Sequence, residues 1–249
     1  MKVSTVKDYF DQQMVIEHYA RAVNSVGLWA SEEMLFTQYF NWDDSLLELG
    51  CGAGRVSIGL WEIGYRYLLA TDLAKNMVEE GRRINQVLDY GVAFQQADAT
   101  ALNFEDNLFD GAVFGFNGLM QIPKRENRRR AMAEIFRVIA PGSYFIFTTH
   151  DRENRRHKAF WEDEKKRWER GIKHPDVDEF GDVYWDTPEG GMMYIHSPLK
   201  AHVRDDAKAV GFKIEREALR SSLCVERESV REFSDDCRFW VLQKPLSSK

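Results

Sequence analysis

A short apolar strand that runs directly into three alternating glycines constrains this chain more than any other sequence feature. Residues 46–49 read Leu-Leu-Glu-Leu, and Gly50, Gly52 and Gly54 follow at once. The amphipathic segment 56–62 then begins like a helix. A strand, a glycine turn and a helix in this order predict a nucleotide-cradling loop, since a Cβ would hold the backbone away from a ligand.

The spacing of these glycines excludes two familiar phosphate-binding loops. A dinucleotide fingerprint places its third glycine three residues after the second, but here Gly54 follows Gly52 by two, and position 55 is Arg. No Gly-Lys-Ser/Thr closes the loop as in a P-loop. Glu48 is also a poor neighbour for a pyrophosphate. An ordinary glycine-rich turn between a strand and a helix is the remaining alternative.

Strand and helix signals alternate after residue 45, which predicts an α/β fold with a doubly wound, mainly parallel sheet and helices on both faces. The predicted strands are 46–49, 67–71, 92–96, 111–114 and 144–148, followed near the end of the chain by 211–215 and 239–242. The predicted helices are 74–87 and 128–139, and Pro141-Gly142 is expected to end the second.

The composition changes sharply after His150, and this change divides the chain. We predict an N-terminal helical lid over residues 1–40, a ligand-binding core over 41–150, an insertion over 151–198, and final strands within 199–249 that complete the core. The insertion is dense in charged and aromatic residues and loses regular alternation, although 159–171 is predicted to be helical. We expect it to form an acceptor-binding cap.

Charge and cysteine content limit the partners and the compartment. The net charge of −6 argues against a protein that binds nucleic-acid backbones, so a nucleic-acid partner is not expected. The three cysteines show no C-x-x-C pairing, which predicts reduced thiols and a cytoplasmic location. The first residues lack the apolar core of a signal peptide, and no apolar run is long enough to span a membrane.

An acidic residue follows the second predicted strand, where open α/β sheets bind their ligands. Asp72 lies some twenty residues beyond the glycines, and a carboxylate there accepts hydrogen bonds from both hydroxyls of a ribose. The alternative is that Asp72 caps the helix that follows; the two roles are compatible, and the context favours ribose binding.

The string E-L-G-C-G-A-G-R at positions 48–55 resembles motif I of the class I S-adenosylmethionine (SAM)-dependent methyltransferases. The resemblance implies a Rossmann-like, seven-stranded sheet and SAM as the cofactor. It also implies that Glu48, Gly50, Cys51 and Gly52 cradle the methionine part of SAM. The resemblance covers roughly residues 45–150, and the regions that choose a methyl acceptor lie outside it.

The resemblance extends to the residues that would enclose adenine. Leu73 and Met77 follow Asp72 at positions that the family uses for this purpose, although Met77 is nearly as well explained as a core residue. Asp98 resembles the acid that accepts the adenine amino group, and Ala99 would donate its backbone N–H to the ring. A carboxylate suits this role because it only accepts hydrogen bonds. The alternative is that Asp98 is a turn former.

The loop after the fourth predicted strand carries the last implied contacts. Backbone carbonyls near Phe116 and Asn117 would accept the methionine amino group of SAM. This loop lacks the Asn/Asp-Pro-Pro-Tyr/Phe sequence of methyltransferases that act on nucleobase amino groups. Together with the acidic charge, that difference favours a small-molecule acceptor. The alternatives are a SAM-binding protein without methyl transfer, or a methyltransferase acting on tRNA or protein.

Two residues after the fifth predicted strand are the best-placed candidates for a general base. His150 and Asp151 would remove a proton from an acceptor that must lose one before attack. They are also interpretable as loop residues that fix the start of the insertion. His174, His196 and His202 lack recognisable metal-ligand spacing, so no metal is predicted. The acidic and aromatic stretch 174–186 could enclose a cationic or amine-bearing acceptor.

Overall fold

The computed structural model describes residues 3–246, which contain nine strands and ten α-helices. The strands are β1 (Leu46–Leu49), β2 (Leu68–Asp72), β3 (Ala93–Gln96), β4 (Phe109–Phe114), β5 (Ile139–Thr149), β6 (Asp182–Asp186), β7 (Met192–His196), β8 (Lys213–Leu219) and β9 (Arg238–Gln243). The helices are α1 (Val3–Phe10), α2 (Gln13–Ser25), α3 (Ala30–Tyr39), α4 (Arg55–Ile63), α5 (Lys75–Val87), α6 (Arg125–Val138), α7 (Lys158–Glu169), α8 (Lys200–Val210), α9 (Arg220–Leu223) and α10 (Glu228–Phe233).

Seven strands form one sheet in the order β3-β2-β1-β4-β5-β9-β8. Strands β1 to β5 pair in parallel, whereas β9 pairs antiparallel with both β5 and β8. The predicted seven-stranded, mainly parallel sheet is therefore confirmed. The strand order reverses between β1 and β4, and open sheets of this kind bind ligands at that point.

Successive residues of β1 point to opposite faces of the sheet, and each face carries its own apolar core. Leu46 belongs to the cluster that includes α2, α3 and α4, whereas Leu47 belongs to the cluster that includes α6 and α8. Both leucines are almost fully buried, at 2% and 0% exposure. Helices cover both faces, as the alternating pattern predicts.

The predicted helix end before Pro141-Gly142 lies within one residue of the observed end, but these two residues were not expected to lie in a strand. Helix α6 begins at Arg125 and ends at Val138, and Pro141 and Gly142 lie inside β5. Pro141 lacks an N–H, but it lies where the β4–β5 register shifts between Phe109 and Gly111. The strand predicted at 211–215 also begins later, because Gly211 has a φ of +110° and terminates α8.

The insertion contains a β-hairpin that the sequence did not predict. Strands β6 and β7 pair antiparallel around a turn at residues 187–191. This turn contacts the N-terminal helices: the Tyr9 hydroxyl donates to the Thr187 hydroxyl at 3.2 Å, and His18 lies 2.9 Å from Glu189. The turn of the hairpin thus contacts both α1 and α2. Within residues 3–246, no helix is long and apolar enough to cross a membrane.

Candidate active site

The glycine loop follows β1 with a left-handed backbone at each glycine. The φ angles of Gly50, Gly52 and Gly54 are +59°, +53° and +93°, which side-chain-bearing residues rarely adopt. A Cβ on Gly50 would lie 2.5 Å from the Phe114 ring, whereas a Cβ on Gly52 would meet nothing within 4 Å. Gly50 is therefore required for packing, and Gly52 leaves open space above the loop.

Glu48 holds the glycine loop to the helix that follows it. Its buried carboxylate accepts hydrogen bonds from the Ser57 backbone N–H, at 2.9 Å, and from the Ser57 hydroxyl. The Glu48 carbonyl accepts from the Thr71 hydroxyl at 2.8 Å, which joins β1 to β2. Burial raises the pKa of Glu48 to about 8, against the opposing effect of the Ser57 hydrogen bonds and of Arg55. The Glu48 side chain therefore forms its hydrogen bonds with Ser57 of the protein.

Asp72, the last residue of β2, uses both carboxylate oxygens to accept hydrogen bonds from the neighbouring backbone. One carboxylate oxygen accepts from the Gly52 N–H at 2.8 Å, and the other accepts from the Ala74 N–H at 2.8 Å, just before α5. Burial raises the pKa of this carboxyl, and the two backbone hydrogen bonds oppose the shift. Each carboxylate oxygen retains capacity for a further donor. Asp72 can therefore bridge the glycine loop and a ligand.

Asp98 follows β3 in a turn of similar chemistry. One of its oxygens accepts from the backbone N–H and the hydroxyl of Thr100, each at 2.8 Å. The Ala97 N–H donates to the Asp72 carbonyl at 3.0 Å, which places the two turns side by side. The Ala99 N–H has no hydrogen-bond partner among the described residues. An acceptor carboxylate and a free N–H thus lie one residue apart.

These groups line one cavity of about 1110 Å³, a volume that includes its open mouth. That size suits a cofactor together with a small acceptor. The cavity contains most of the residues that the sequence predicts for SAM binding, namely Glu48, Gly50, Cys51, Gly52, Asp72, Leu73, Asp98, Ala99 and Phe116. Cys51 is fixed there by its backbone N–H, which donates to the Thr71 carbonyl at 2.9 Å.

Two residues predicted for SAM binding lie outside the cavity wall. Met77 is 1% exposed and packs in a small cluster with Tyr9 and Val15, which matches the core alternative. Asn117 is also buried, and its backbone N–H donates to the Thr148 hydroxyl at 2.7 Å. Phe116 and Asn117 both have positive φ angles, +47° and +61°. This strained turn directs the Phe116 ring into the cavity.

The two candidate bases also lie outside the cavity wall. The His150 Nε2 is 3.4 Å from the Asn117 side-chain nitrogen, and burial lowers the pKa of His150. Asp151 is 6% exposed, and its carboxylate accepts from Arg238 at 2.7 Å. Asp151 is thereby held in a buried ion pair, whereas His150 contacts Asn117, which itself does not line the cavity.

Both ends of the chain contribute cavity walls: the N-terminal segment was predicted as a helical lid over residues 1–40, but its individual lining residues and the contribution of α10 were not identified from the sequence. Phe10 and Tyr19 come from α1 and α2, and Phe233 comes from the end of α10. Gln121, which lies just before α6, also faces the cavity. The only sequence signal for these residues was the aromatic content of the N-terminal segment. Within the described chain, none of the lining residues comes from the insertion 151–198, which includes Tyr184 and Trp185.

Three insertion residues that could hold a metal ion also come together. The ligand atoms of Glu179, Asp182 and His196 lie within 4.8 Å of one another. Burial acts to raise the pKa of Asp182, but hydrogen bonds from His196, Tyr194 and two backbone N–H groups together lower it to about 2. The Arg128 guanidinium contacts Glu179, and its positive charge opposes a bound cation. We interpret the cluster as a structural network.

Comparison with known proteins identifies the family of the glycine-loop region. Residues 46–142 match a family model described as a methyltransferase domain. The chain contains a class I SAM-dependent methyltransferase domain. A demethylmenaquinone methyltransferase of Symbiobacterium thermophilum is 29% identical over 155 residues, which cover 58% of this chain and 59% of that protein. A protein with the same description from Clavibacter sepedonicus is 34% identical over 41% of this chain and 40% of its own length.

Solved structures share the fold of this methyltransferase domain and of its flanking segments. A SAM-dependent methyltransferase of Methanosarcina mazei superposes with a TM-score of 0.68 at 23% identity, covering 86% of this chain and 98% of that one. A Pyrococcus horikoshii protein gives a TM-score of 0.65 at 21% identity, covering 94% and 93%. At these identities the similarity shows the fold alone.

The cavity of the methyltransferase domain fits SAM, the cofactor that the family and fold imply. The missing side chain of Gly52 leaves the space that a Cβ would fill. Asp72 and Asp98 present acceptor oxygens, which suit ribose hydroxyls and an adenine amino group. The Ala99 N–H supplies the complementary donor. The residues present are therefore compatible with SAM.

Proposed function

We propose that this chain transfers a methyl group from SAM to a small-molecule acceptor. The observation that carries the proposal is the convergence of the Gly52 backbone, Asp72 and Asp98 on one cavity. A glycine-rich loop beside two carboxylates at successive strand ends suits a nucleoside joined to an amino-acid moiety. In this proposal Asp72 holds the ribose hydroxyls, while Asp98 and the Ala99 N–H hold adenine.

SAM supplies a methyl group that is electrophilic because it is bonded to a positively charged sulfur. An acceptor held in line with the S–CH3 bond would take the methyl group while the bonding pair returned to sulfur, and any proton that it carried would be released to solvent. The protein's contribution is to align the acceptor and exclude water. Helices α1, α2 and α10 serve this purpose by covering the cavity with Phe10, Tyr19 and Phe233.

The enclosure of the cavity favours a small acceptor over a macromolecule. The lining aromatic side chains come from both ends of the chain, and the net charge of −6 disfavours a phosphate backbone. A relative described as a demethylmenaquinone methyltransferase is named for a small-molecule acceptor, which supports this size class. A relative from Danio rerio is described as an eEF1A lysine and N-terminal methyltransferase, so a protein acceptor is the alternative.

Calorimetry with S-adenosylhomocysteine (SAH), the demethylated product of SAM, tests the cofactor site. We expect Asp72→Ala to weaken SAH binding at least tenfold, because the ribose loses a charged acceptor. Asp110→Ala is the matched control, since Asp110 is the second residue of β4, at the end of the strand opposite to the cavity, and accepts from the Ser45 N–H at 3.0 Å. Equal SAH affinity in both variants would contradict the assignment.

Turnover then separates an enzyme from a SAM-binding protein. Methyl-labelled SAM is incubated with a panel of phenols, amines, carboxylates, tRNA and protein substrates, and labelled products are identified by mass. We expect label to appear only in small molecules. SAH binding without transfer to any class would support a regulatory SAM-binding protein, whereas label in tRNA or protein would replace the proposed acceptor.

A further inference from the structure

One side of the cavity is closed by the N-terminal part of the chain. We define the lid as residues 3–19, which comprise α1 and the first half of α2. Val6, Phe10 and Tyr19 of the lid line the cavity. The Tyr19 ring lies 5.9 Å from that of Phe10 and meets the Phe116 ring edge-on at 6.1 Å. A molecule bound in the cavity therefore contacts the lid directly.

The junction between α1 and α2 is fixed to the start of α5. The Asp11 carboxylate accepts from the Asn76 N–H at 3.0 Å, and the Asp11 carbonyl accepts from the Asn76 side-chain nitrogen at 3.2 Å. Beside this junction, Tyr9 packs in the buried cluster that contains Met77. Helix α1 has only eight residues, and a helix this short is marginal without tertiary contacts. Its position therefore depends on what it packs against.

The turn of the β6–β7 hairpin, residues 187–191, contacts the lid from the side opposite to the cavity. The Tyr9 hydroxyl donates to the Thr187 hydroxyl at 3.2 Å, and the His18 Nδ1 lies 2.9 Å from the Glu189 carboxylate. The His18 and Glu189 side chains are 36% and 21% exposed. Polar pairs that reach solvent in this way contribute little free energy each, so they open far more readily than the buried core.

We propose that the hairpin turn is a latch that holds the lid shut, and that a bound molecule leaves the cavity when the Tyr9–Thr187 and His18–Glu189 pairs open. The identity of that molecule as SAM or SAH rests on the proposed function. A ligand that contacts Phe10 stabilises the shut lid, and by linkage the latch slows the release of the ligand. The insertion thereby acts on the site through the lid, without lining the cavity.

The rate of SAH dissociation, followed by stopped-flow dilution of the complex, tests the latch. Glu189→Gln should accelerate release about two- to fivefold, because the pair with His18 loses its carboxylate. Tyr9→Phe removes only the hydroxyl that donates to Thr187 and should accelerate release about two- to tenfold. Asp186→Asn is the matched control, since Asp186 is an exposed acid of the same hairpin. Release at the wild-type rate in both latch variants would overturn the proposal.

A double-variant cycle separates the latch from a general structural role. His18→Gln also loses the stacking of His18 on the Phe233 ring, at 5.5 Å, so its single effect is not specific to the pair. The double variant Glu189→Gln/His18→Gln should release SAH no faster than the faster of the two single variants, because the pair is already broken in each. Accelerations that multiply in the double variant would show that the two side chains act independently and would contradict the latch.

Hydrogen exchange of the protein without ligand tests the same pair independently of SAM binding. We expect Glu189→Gln to raise amide exchange in residues 3–19 about two- to fivefold and to leave the second half of α5, residues 81–87, unchanged. Lid exchange equal to that of wild type would overturn the latch. Wild-type protein that fails to bind SAH would instead overturn the proposed function, while the exchange measurement would still decide whether the hairpin holds the lid.

Discussion

The Arg55 guanidinium donates to both carboxylate oxygens of Glu32, with N–O distances of 2.7 and 2.6 Å. Arg55 is the first residue of α4, directly after the glycine loop, and Glu32 lies in the first turn of α3. Their side chains are only 9% and 1% exposed. Glu32 also accepts from the Trp29 N–H at 2.9 Å. This pair therefore joins the N-terminal helices to the methyl-donor half of the site.

We predict that Glu32→Gln lowers the free energy of unfolding by about 3–5 kcal/mol, because it leaves the Arg55 charge buried without a counter-ion. Urea denaturation measures the change. The double variant Glu32→Leu/Arg55→Met should be less destabilised than the sum of the two single variants, since no buried charge remains. Additive losses would show that the two residues stabilise the protein independently.

Gly50 and Gly52 have nearly the same backbone conformation, so substitutions at the two positions distinguish a packing role from a ligand-binding role. Gly50→Ala and Gly52→Ala share a left-handed φ, and each should cost about 1–2 kcal/mol of stability for that reason. Gly50→Ala should lose about 1–3 kcal/mol more, because its Cβ collides with Phe114. Gly52→Ala should instead reduce SAH affinity, since its Cβ enters the cavity. Urea denaturation and SAH calorimetry on both variants measure the contrast, and indistinguishable profiles would contradict it.

The buried Glu48 carboxyl should make stability depend on pH. Burial raises its pKa from 4.5 to about 8 in the folded state. The folded protein therefore keeps a proton that the unfolded chain releases, and the free energy of unfolding falls as pH rises across this interval. Denaturation at pH 5, 6, 7 and 8 should show Glu48→Gln gaining stability relative to wild type as pH rises. Glu105→Gln, at an exposed loop position, controls for the loss of one carboxylate. A difference that does not change with pH would refute the prediction.

Asp151→Asn separates a structural from a catalytic role at the end of β5. Because its carboxylate pairs with Arg238, we expect a loss of about 1.5–3 kcal/mol in the free energy of unfolding and no change in SAH affinity. With an acceptor from the panel, the pH–rate profile should keep its shape. Loss of one limb of that profile would instead support Asp151 as the general base.

The residues proposed to bind the methyl donor could be placed together in one cavity from the sequence, because they follow strand ends that the sequence marks. Gly50, Asp72 and Asp98 each follow a predicted strand, and parallel strands bring their carboxyl ends to one edge of the sheet. Met77 occupies a helix face, where the same spacing suits a ligand contact or the core. Periodicity does not distinguish these two outcomes. In the structure, Met77 packs in a buried cluster with Tyr9 and is a core residue.

The remaining features depend on contacts between distant parts of the chain. Phe233 lies beside Phe116 only because α10 folds back over the parallel sheet, and no local pattern encodes that approach. The β6–β7 hairpin was missed because acidic residues interrupt its alternation, although the run Thr-Pro-Glu-Gly-Gly at 187–191 is a turn signal. Pro141 was misassigned because a register shift allows proline within a strand.

The walls of the cavity have two separate origins along the chain. The groups proposed to face the methyl donor come from the turns after β1, β2 and β3, whereas Phe10, Tyr19 and Phe233 come from α1, α2 and α10, outside the matched residues 46–142. Exchange of residues 3–25 and 228–233 between relatives would therefore transplant acceptor selectivity onto an unaltered donor half. In a lineage of such proteins, substitutions in these two segments can change the accepted substrate while the glycine loop stays constant.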